Sequence, residues 1–165
     1  MDKPKIACVL SSGGSRGTYQ LGVLKAMKEK GIVFDLMVGA SAGACNAARY
    51  VSNQIEICIH IWLEHCSNKR AINLNRLLWP WHSRPAMDLD YIFNDAIIGH
   101  EIDFDAIAAC TTDVQIAITA FPHLKTEYRQ LHVDSLFETL IASCATPYVY
   151  NKPAYVDGKR FVDGG

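Results

Sequence analysis

Apolar positions fall into short continuous runs near the start of the chain and into spaced sets further on. Lys5–Leu10 (KIACVL) is nearly continuous and Leu36–Val38 is wholly apolar. The first suits a central parallel strand buried on both faces, and the second a buried strand. Between them Tyr19, Val23, Leu24 and Met27 recur at helical spacing, with Gly31 as the stop. Strand, helix, strand is a right-handed crossover. It brings the loop after the first strand and the turn after the second to the carboxyl edge of one sheet, where open α/β sheets keep their sites.

The pattern continues in the same style. Ala44–Asn53 reads as a helix, and Gln54–Cys66 as a second helix or its continuation. Leu89, Ile92, Phe93 and Ile97 predict a helix over Met87–Ile98, stopped by Gly99. Val114–Phe121 reads as a strand, Pro122-His123-Leu124 as its turn and Thr126–Gln130 as its hairpin partner. Leu136, Phe137, Leu140 and Ile141 predict a helix over Val133–Ser143, ended at Cys144-Ala145-Thr146-Pro147. Two short runs, Ala154-Tyr155-Val156 and Arg160-Phe161-Val162, flank Asp157-Gly158-Lys159, a hairpin turn. Lys69–Met87 is irregular. Its Trp79-Pro80-Trp81 cluster has two readings, an interfacial or lid segment or a loop packing its tryptophans on the core.

Length and composition narrow the class. The 165 residues suffice for one domain with a sizeable core, residues 1–165. Formal net charge is −1, which leaves no basic footprint for nucleic acid and no polybasic membrane tether. The six cysteines are scattered, with no C-x-x-C and no zinc spacing, and read as reduced core residues. No run has the length of a signal-peptide core or a bilayer span, so a cytoplasmic protein, peripheral at membranes at most, is expected. His60 and His65 are five apart and do not share a face of an α-helix; core-edge or solvent-facing roles fit them better than metal binding.

Candidate chemistry lies at the two turns and at the end. In Gly39-Ala40-Ser41-Ala42-Gly43 an apolar strand turns sharply into a helix. Glycines flank the serine because strand and helix approach too closely for side chains, and Ser41 is lifted onto a helix N-terminus whose partial positive charge favours an oxyanion. A plain helix cap is the competing reading. Ser11-Ser12-Gly13-Gly14-Ser15-Arg16-Gly17 lacks both the first glycine of a dinucleotide fingerprint and the G-K-[ST] of a P-loop. It can form an oxyanion hole from backbone N–H groups, or a simple tight turn. Arg16 would order that loop or neutralise an anionic headgroup. Of the two D-G pairs, Asp157 is explained by its turn, whereas Asp163 ends an apolar strand and precedes two glycines, as an acid/base group at a sheet edge would.

These three stretches, in this order, with Ala142-Ser143-Cys144-Ala145-Thr146-Pro147 before the final hairpin, resemble the patatin-like phospholipase family across essentially the whole chain. The resemblance implies a three-layer α/β/α sandwich with a mainly parallel central sheet, related to α/β-hydrolases. It implies hydrolysis of lipid acyl esters, phospholipase A-type, with lipid as partner and no metal or other cofactor. Residue by residue it makes Ser41 the nucleophile and Asp163 its base. It assigns the oxyanion hole to the loop at Gly13, Gly14, Ser15 and Arg16, and the motif glycines to Gly17, Gly39, Gly43 and Gly164. All six histidines precede Asp163, so a Ser-acid-His order cannot be built with Asp163 as the acid; Asp113 with His123 or His132 stays open.

The chain departs from the family pattern in two places. Ser12 stands where the oxyanion motif opens with glycine, which matters only if that position needs φ > 0. The sequence also stops just after Asp163-Gly164-Gly165, so a fragment or shortened member is expected. The alternatives are a nucleotide-binding oxidoreductase and a catalytically impaired domain that binds lipid or a partner.

Overall fold

A computed structural model describes residues 5–78, 84–95 and 102–165. Six strands form one mixed sheet with helices flanking it. They are β1 (Ala7–Leu10), β2 (Leu36–Ala40), β3 (Asp113–Ala120), β4 (Lys125–Gln130), β5 (Ala154–Val156) and β6 (Lys159–Val162). The order is β1-β2-β3-β6-β5, with β4 also on β3. β1, β2 and β3 pair in parallel. β4 and β6 run antiparallel to β3, and β5 antiparallel to β6.

One detail of this topology places the site. β4 occupies one edge of β3 from Gln115 to Ala120. β2 and β6 must therefore share the other edge, end to end. β2 pairs as far as Ala40 with Ala117, and β6 takes over at Val162 with Thr119. The residue after β2 and the residue after β6 thus meet beside Ile118.

The core comprises Leu10, Met37, Val114, Ile116, Ile118 and Phe161 from the sheet. Leu21 and Leu24 of α1 (Gly17–Glu29), Ala44 and Ala47 of α2 (Ala42–Val51), and Leu136 and Leu140 of α5 (Leu136–Cys144) pack into it. α3 (Ile55–Ile61) adds Ile55 and Cys58, and α4 (Phe104–Ala108) adds Ile107.

Several expectations need correction. β1 is neither central nor buried on both faces: it ends the sheet path, and Val9 is 75% exposed. The buried face of α1 is Gly17, Leu21 and Leu24, whereas Tyr19 and Val23 face out. Of the two readings of Gln54–Cys66 the separate helix holds, because Asn53 takes φ 59 and breaks the chain from α2. It runs into a π-helical segment, Trp62–Cys66. A wider turn brings i and i+5 together, so the His60 and His65 rings do meet, centroids 6.3 Å apart. The expected Met87–Ile98 helix holds over its described part, with Leu89 and Asp90 α-helical and Tyr91–Asp95 π-helical, but Met87 instead bridges Ile72. The Trp79-Pro80-Trp81 cluster and Gly99 lie outside the described residues. The hairpin β5–β6 turns through Asp157 (φ 51) and Gly158 (φ 72), the paired positive φ of a tight hairpin.

Candidate active site

Ser41 sits between β2 and α2 with φ 54 and ψ −122, a strained conformation for a residue with a side chain. Two glycines allow it. A Cβ at Gly39 would lie 2.7 Å from Ala44 Cα, and one at Gly43 would lie 2.2 Å from Leu10 O. The backbone N–H of Ser41 donates to Ser143 Oγ at 2.8 Å, and that hydroxyl donates onward to Ala117 O at 2.7 Å. Ser143 is fully buried, so this relay works shielded from water and ties the elbow to β3 and α5.

Asp163 arrives from β6 on the other side of Ile118. Its N–H donates to Ala145 O (3.0 Å) and the next N–H, of Gly164, to Ser143 O (3.2 Å). A Cβ on Gly164 would fall 1.9 Å from Ala117 O, so only glycine lets the chain cross β3 this closely. The carboxylate is held by three donors. Ser41 Oγ and Thr146 Oγ1 donate to Oδ2 at 3.0 and 2.7 Å, and Gly165 N–H donates to Oδ1 at 2.8 Å. The structure thus brings Ser41 and Asp163 into direct contact, across 122 residues of sequence. Among the described residues the side-chain partner of Ser41 Oγ is this aspartate, not a histidine.

The glycine loop lies against the same point. Gly14 has φ +52 and opens a short 3₁₀ turn, Gly14–Arg16, which leads into α1. Gly14 and Ser41 line one cavity. Arg16 N–H is engaged by Gly13 O at 3.1 Å, and the Arg16 side chain is exposed. A Cβ on Gly17 would come within 2.9 Å of Ala42 Cβ, so the first turns of α1 and α2 abut. Asn46, fully buried on α2, locks this junction: its Nδ2 donates to Gly17 O (2.9 Å) and Gln20 Oε1 (3.1 Å), and its Oδ1 accepts from Trp62 Nε1 (3.2 Å). Gln20 in turn donates to Ser11 O at 2.7 Å. Ser12 is not among the residues with positive φ, so serine costs the loop no backbone strain; its side chain lies where a Cβ on Gly165 would be, 2.3 Å away.

From Ser41 the cavity, about 90 Å³ in volume, runs between α2, α3 and α5. Leu89, Phe93, Trp62 and Leu140 give it apolar walls. Arg49 reaches it too; its Nη1 donates to Gln54 Oε1 at 2.9 Å, and burial lowers its pKa from the ordinary arginine value. Sequence reasoning missed Ser143, Thr146 and Asn46 as site-building residues. Only the Ala142–Pro147 motif pointed toward the first two.

The patatin-like phospholipase family profile matches residues 8–165. The chain belongs to the patatin-like phospholipase family. Over 98 residues it is 49% identical to lysophospholipase nte1 of Aspergillus terreus, covering 59% of this chain and 6% of that protein. It is 26% identical to YjjU of Escherichia coli, covering 98% of this chain and 45% of that protein. The chain therefore spans less than half the length of these relatives. Among solved structures, VipD from Legionella pneumophila matches with a TM-score of 0.56 at 13% identity, over 99% of this chain and 46% of that one. The patatin-like fold read from the motifs is thus the fold observed. Among the described residues no helix is long and apolar enough to cross a membrane, and no group of three or more His, Cys, Asp or Glu could hold a metal ion.

Proposed function

We propose that this patatin-like domain hydrolyses the acyl esters of phospholipids or lysophospholipids through a Ser41–Asp163 dyad. The observation that carries the reading is the 3.0 Å contact from Ser41 Oγ to Asp163 Oδ2 at the mouth of an apolar cavity. The acyl chain lies against Leu89, Phe93 and Leu140, and each buried methylene contributes about 0.8 kcal/mol to binding. Ser41 Oγ attacks the ester carbonyl while Asp163 takes its proton. A carboxylate is a weak base for a hydroxyl, so position must compensate. Thr146 and the Gly165 N–H hold the carboxylate in place for that transfer.

The tetrahedral oxyanion is stabilised by the glycine loop. With Arg16 N–H engaged by Gly13 O, the donors are the amides of Gly13, Gly14 and Ser15. One such donor is worth about 3–4 kcal/mol. The abutting N-termini of α1 and α2 add their dipoles. The acyl-serine is then released by water activated by the same aspartate. Relatives named as lysophospholipases support this substrate class. Contact with lipid is transient and at the membrane surface.

The test is hydrolysis of p-nitrophenyl butyrate and of lysophosphatidylcholine by the chain, by Ser41→Ala and by Asp163→Asn, with folding followed by circular dichroism. Folded variants that both lose activity support the dyad. Activity retained in Asp163→Asn overturns the base assignment. A folded, inactive wild type favours a domain that binds lipid without turning it over.

A further inference from the structure

We propose that Cys45 and Cys144 form a hydroperoxide-reactive thiol pair that closes to a disulfide beneath Ser41. Cys45 follows Ser41 by four residues, one turn along the same face of α2. Cys144 is the last residue of α5. Their sulfurs lie 3.7 Å apart, and both line the cavity that Ser41 lines. The pair is asymmetric. Cys45 is partly exposed toward the cavity, whereas Cys144 is buried. The hydrogen bond it shares with Cys45, together with burial, pushes the Cys144 thiol well above the ordinary cysteine range.

The walls fix the class of oxidant. Leu89, Phe93 and Leu140 admit an organic hydroperoxide better than a hydrated one. Cys45 sulfur attacks the terminal peroxide oxygen and the O–O bond breaks. The alkoxide leaves as the alcohol with the Cys45 proton, and Cys45 becomes a sulfenic acid. Cys144 sulfur then attacks Cys45 sulfur, the S–O bond breaks, and hydroxide leaves as water with the Cys144 proton. Two electrons pass from the sulfurs to the peroxide, and one disulfide, one alcohol and one water result.

Closure has a mechanical consequence for the site. The sulfurs must approach from 3.7 Å to about 2.05 Å. Cys144 lies between Ser143, whose hydroxyl holds the Ser41 N–H, and Ala145, whose carbonyl holds the Asp163 N–H. Pulling Cys144 toward α2 therefore disturbs both members of the dyad at once. The bond formation stands apart from the proposed hydrolysis; only this loss of turnover rests on it.

The experiment treats the reduced chain with cumene hydroperoxide at pH 8. It maps disulfides by mass spectrometry, and reads Ser41 labelling by a fluorophosphonate alongside ester hydrolysis. The expected result is a linked pair of tryptic peptides, those ending at Arg49 and Lys159 (the Lys152–Pro153 bond resists trypsin), and a loss of turnover of about tenfold or more that dithiothreitol reverses. In Cys45→Ala and Cys144→Ala, each compared with itself before and after treatment, the reversible loss disappears. Oxidation spread over Cys8 and Cys110, Cys45 accumulating as sulfinic acid without a cross-link, or an equal reversible loss in Cys144→Ala overturns the proposal. If Ser41 is unreactive even in the reduced chain, the hydrolase reading fails and the pair is judged on the mapped disulfide alone.

Discussion

The two halves of the candidate site are held by different kinds of force. The serine half is locked by shape: Gly39 and Gly43 permit an approach between β2, α2 and β1 that any side chain would forbid, and Ser41 keeps a strained φ of 54 as a result. The acid half is held mainly by hydrogen bonds, from Thr146 and Gly165 to the carboxylate and from the Asp163 and Gly164 N–H groups to the carbonyls of Ala145 and Ser143. Gly164 against Ala117 O is its one steric lock. Exposure follows the same division, with Ser41 8% exposed and Asp163 half-buried. Shape locks are rigid and intolerant of change; hydrogen-bonded placement is adjustable and can be weakened in small steps.

The comparison breaks most visibly at Gly43. Gly43→Ala puts a methyl 2.2 Å from Leu10 O, backbone that cannot yield without moving β1. A loss of stability of about 3 kcal/mol or more is expected, in the range of overpacked core sites. Urea unfolding followed by circular dichroism reads it, and a loss under 1 kcal/mol would show that the elbow is not sterically locked. Ser143→Ala comes next, because it strips a buried relay and leaves Ser41 N–H and Ala117 O unpaired. A cost of about 1–3 kcal/mol is expected, with turnover of p-nitrophenyl butyrate falling about a hundredfold as the elbow loosens.

Thr146→Val is milder. It keeps the shape and removes one donor to Asp163 Oδ2. Stability should fall by about 1 kcal/mol; kcat should drop about tenfold while KM holds, which steady-state kinetics separates. An unchanged kcat would mean that the Gly165 N–H alone orients the carboxylate. The smallest effect is expected at Ser12→Gly. The position already has an ordinary φ, so stability should stay within about 0.5 kcal/mol of the parent. A large gain in turnover would show instead that Ser12 distorts the loop.

The same division explains what could be read in the sequence. Shape locks leave local marks. The glycines around Ser41, the D-G turn at Asp157-Gly158 and the apolar run Val114–Phe121 mark elbow, hairpin and strand within a residue or two. Hydrogen-bonded placement leaves few. The Ala142–Pro147 motif marks Thr146 without saying that its hydroxyl reaches a residue seventeen positions later, and Asn46 looks like any polar residue on a helix until Gly17, Gln20 and Trp62 surround it. In α1, Leu24 and Met27 pack as their spacing implies, but Leu21 rather than Tyr19 and Val23 completes the buried face, a tertiary choice that spacing alone does not decide. β1 reads as a central strand from its apolar run, yet its position at the end of the sheet is set by crossovers further along.

The end-to-end meeting of β2 and β6 on one edge of β3 also sets an order in time. A chain leaving the ribosome makes its elbow early and waits another 122 residues for the carboxylate that would activate it. Long-range pairing of this kind forms late, because the intervening loop must close first. If the proposed dyad holds, Ser41 has no base until β6 docks, and an immature chain would be silent toward acyl esters. Hydrolysis would then serve as a readout that β6 has found its place.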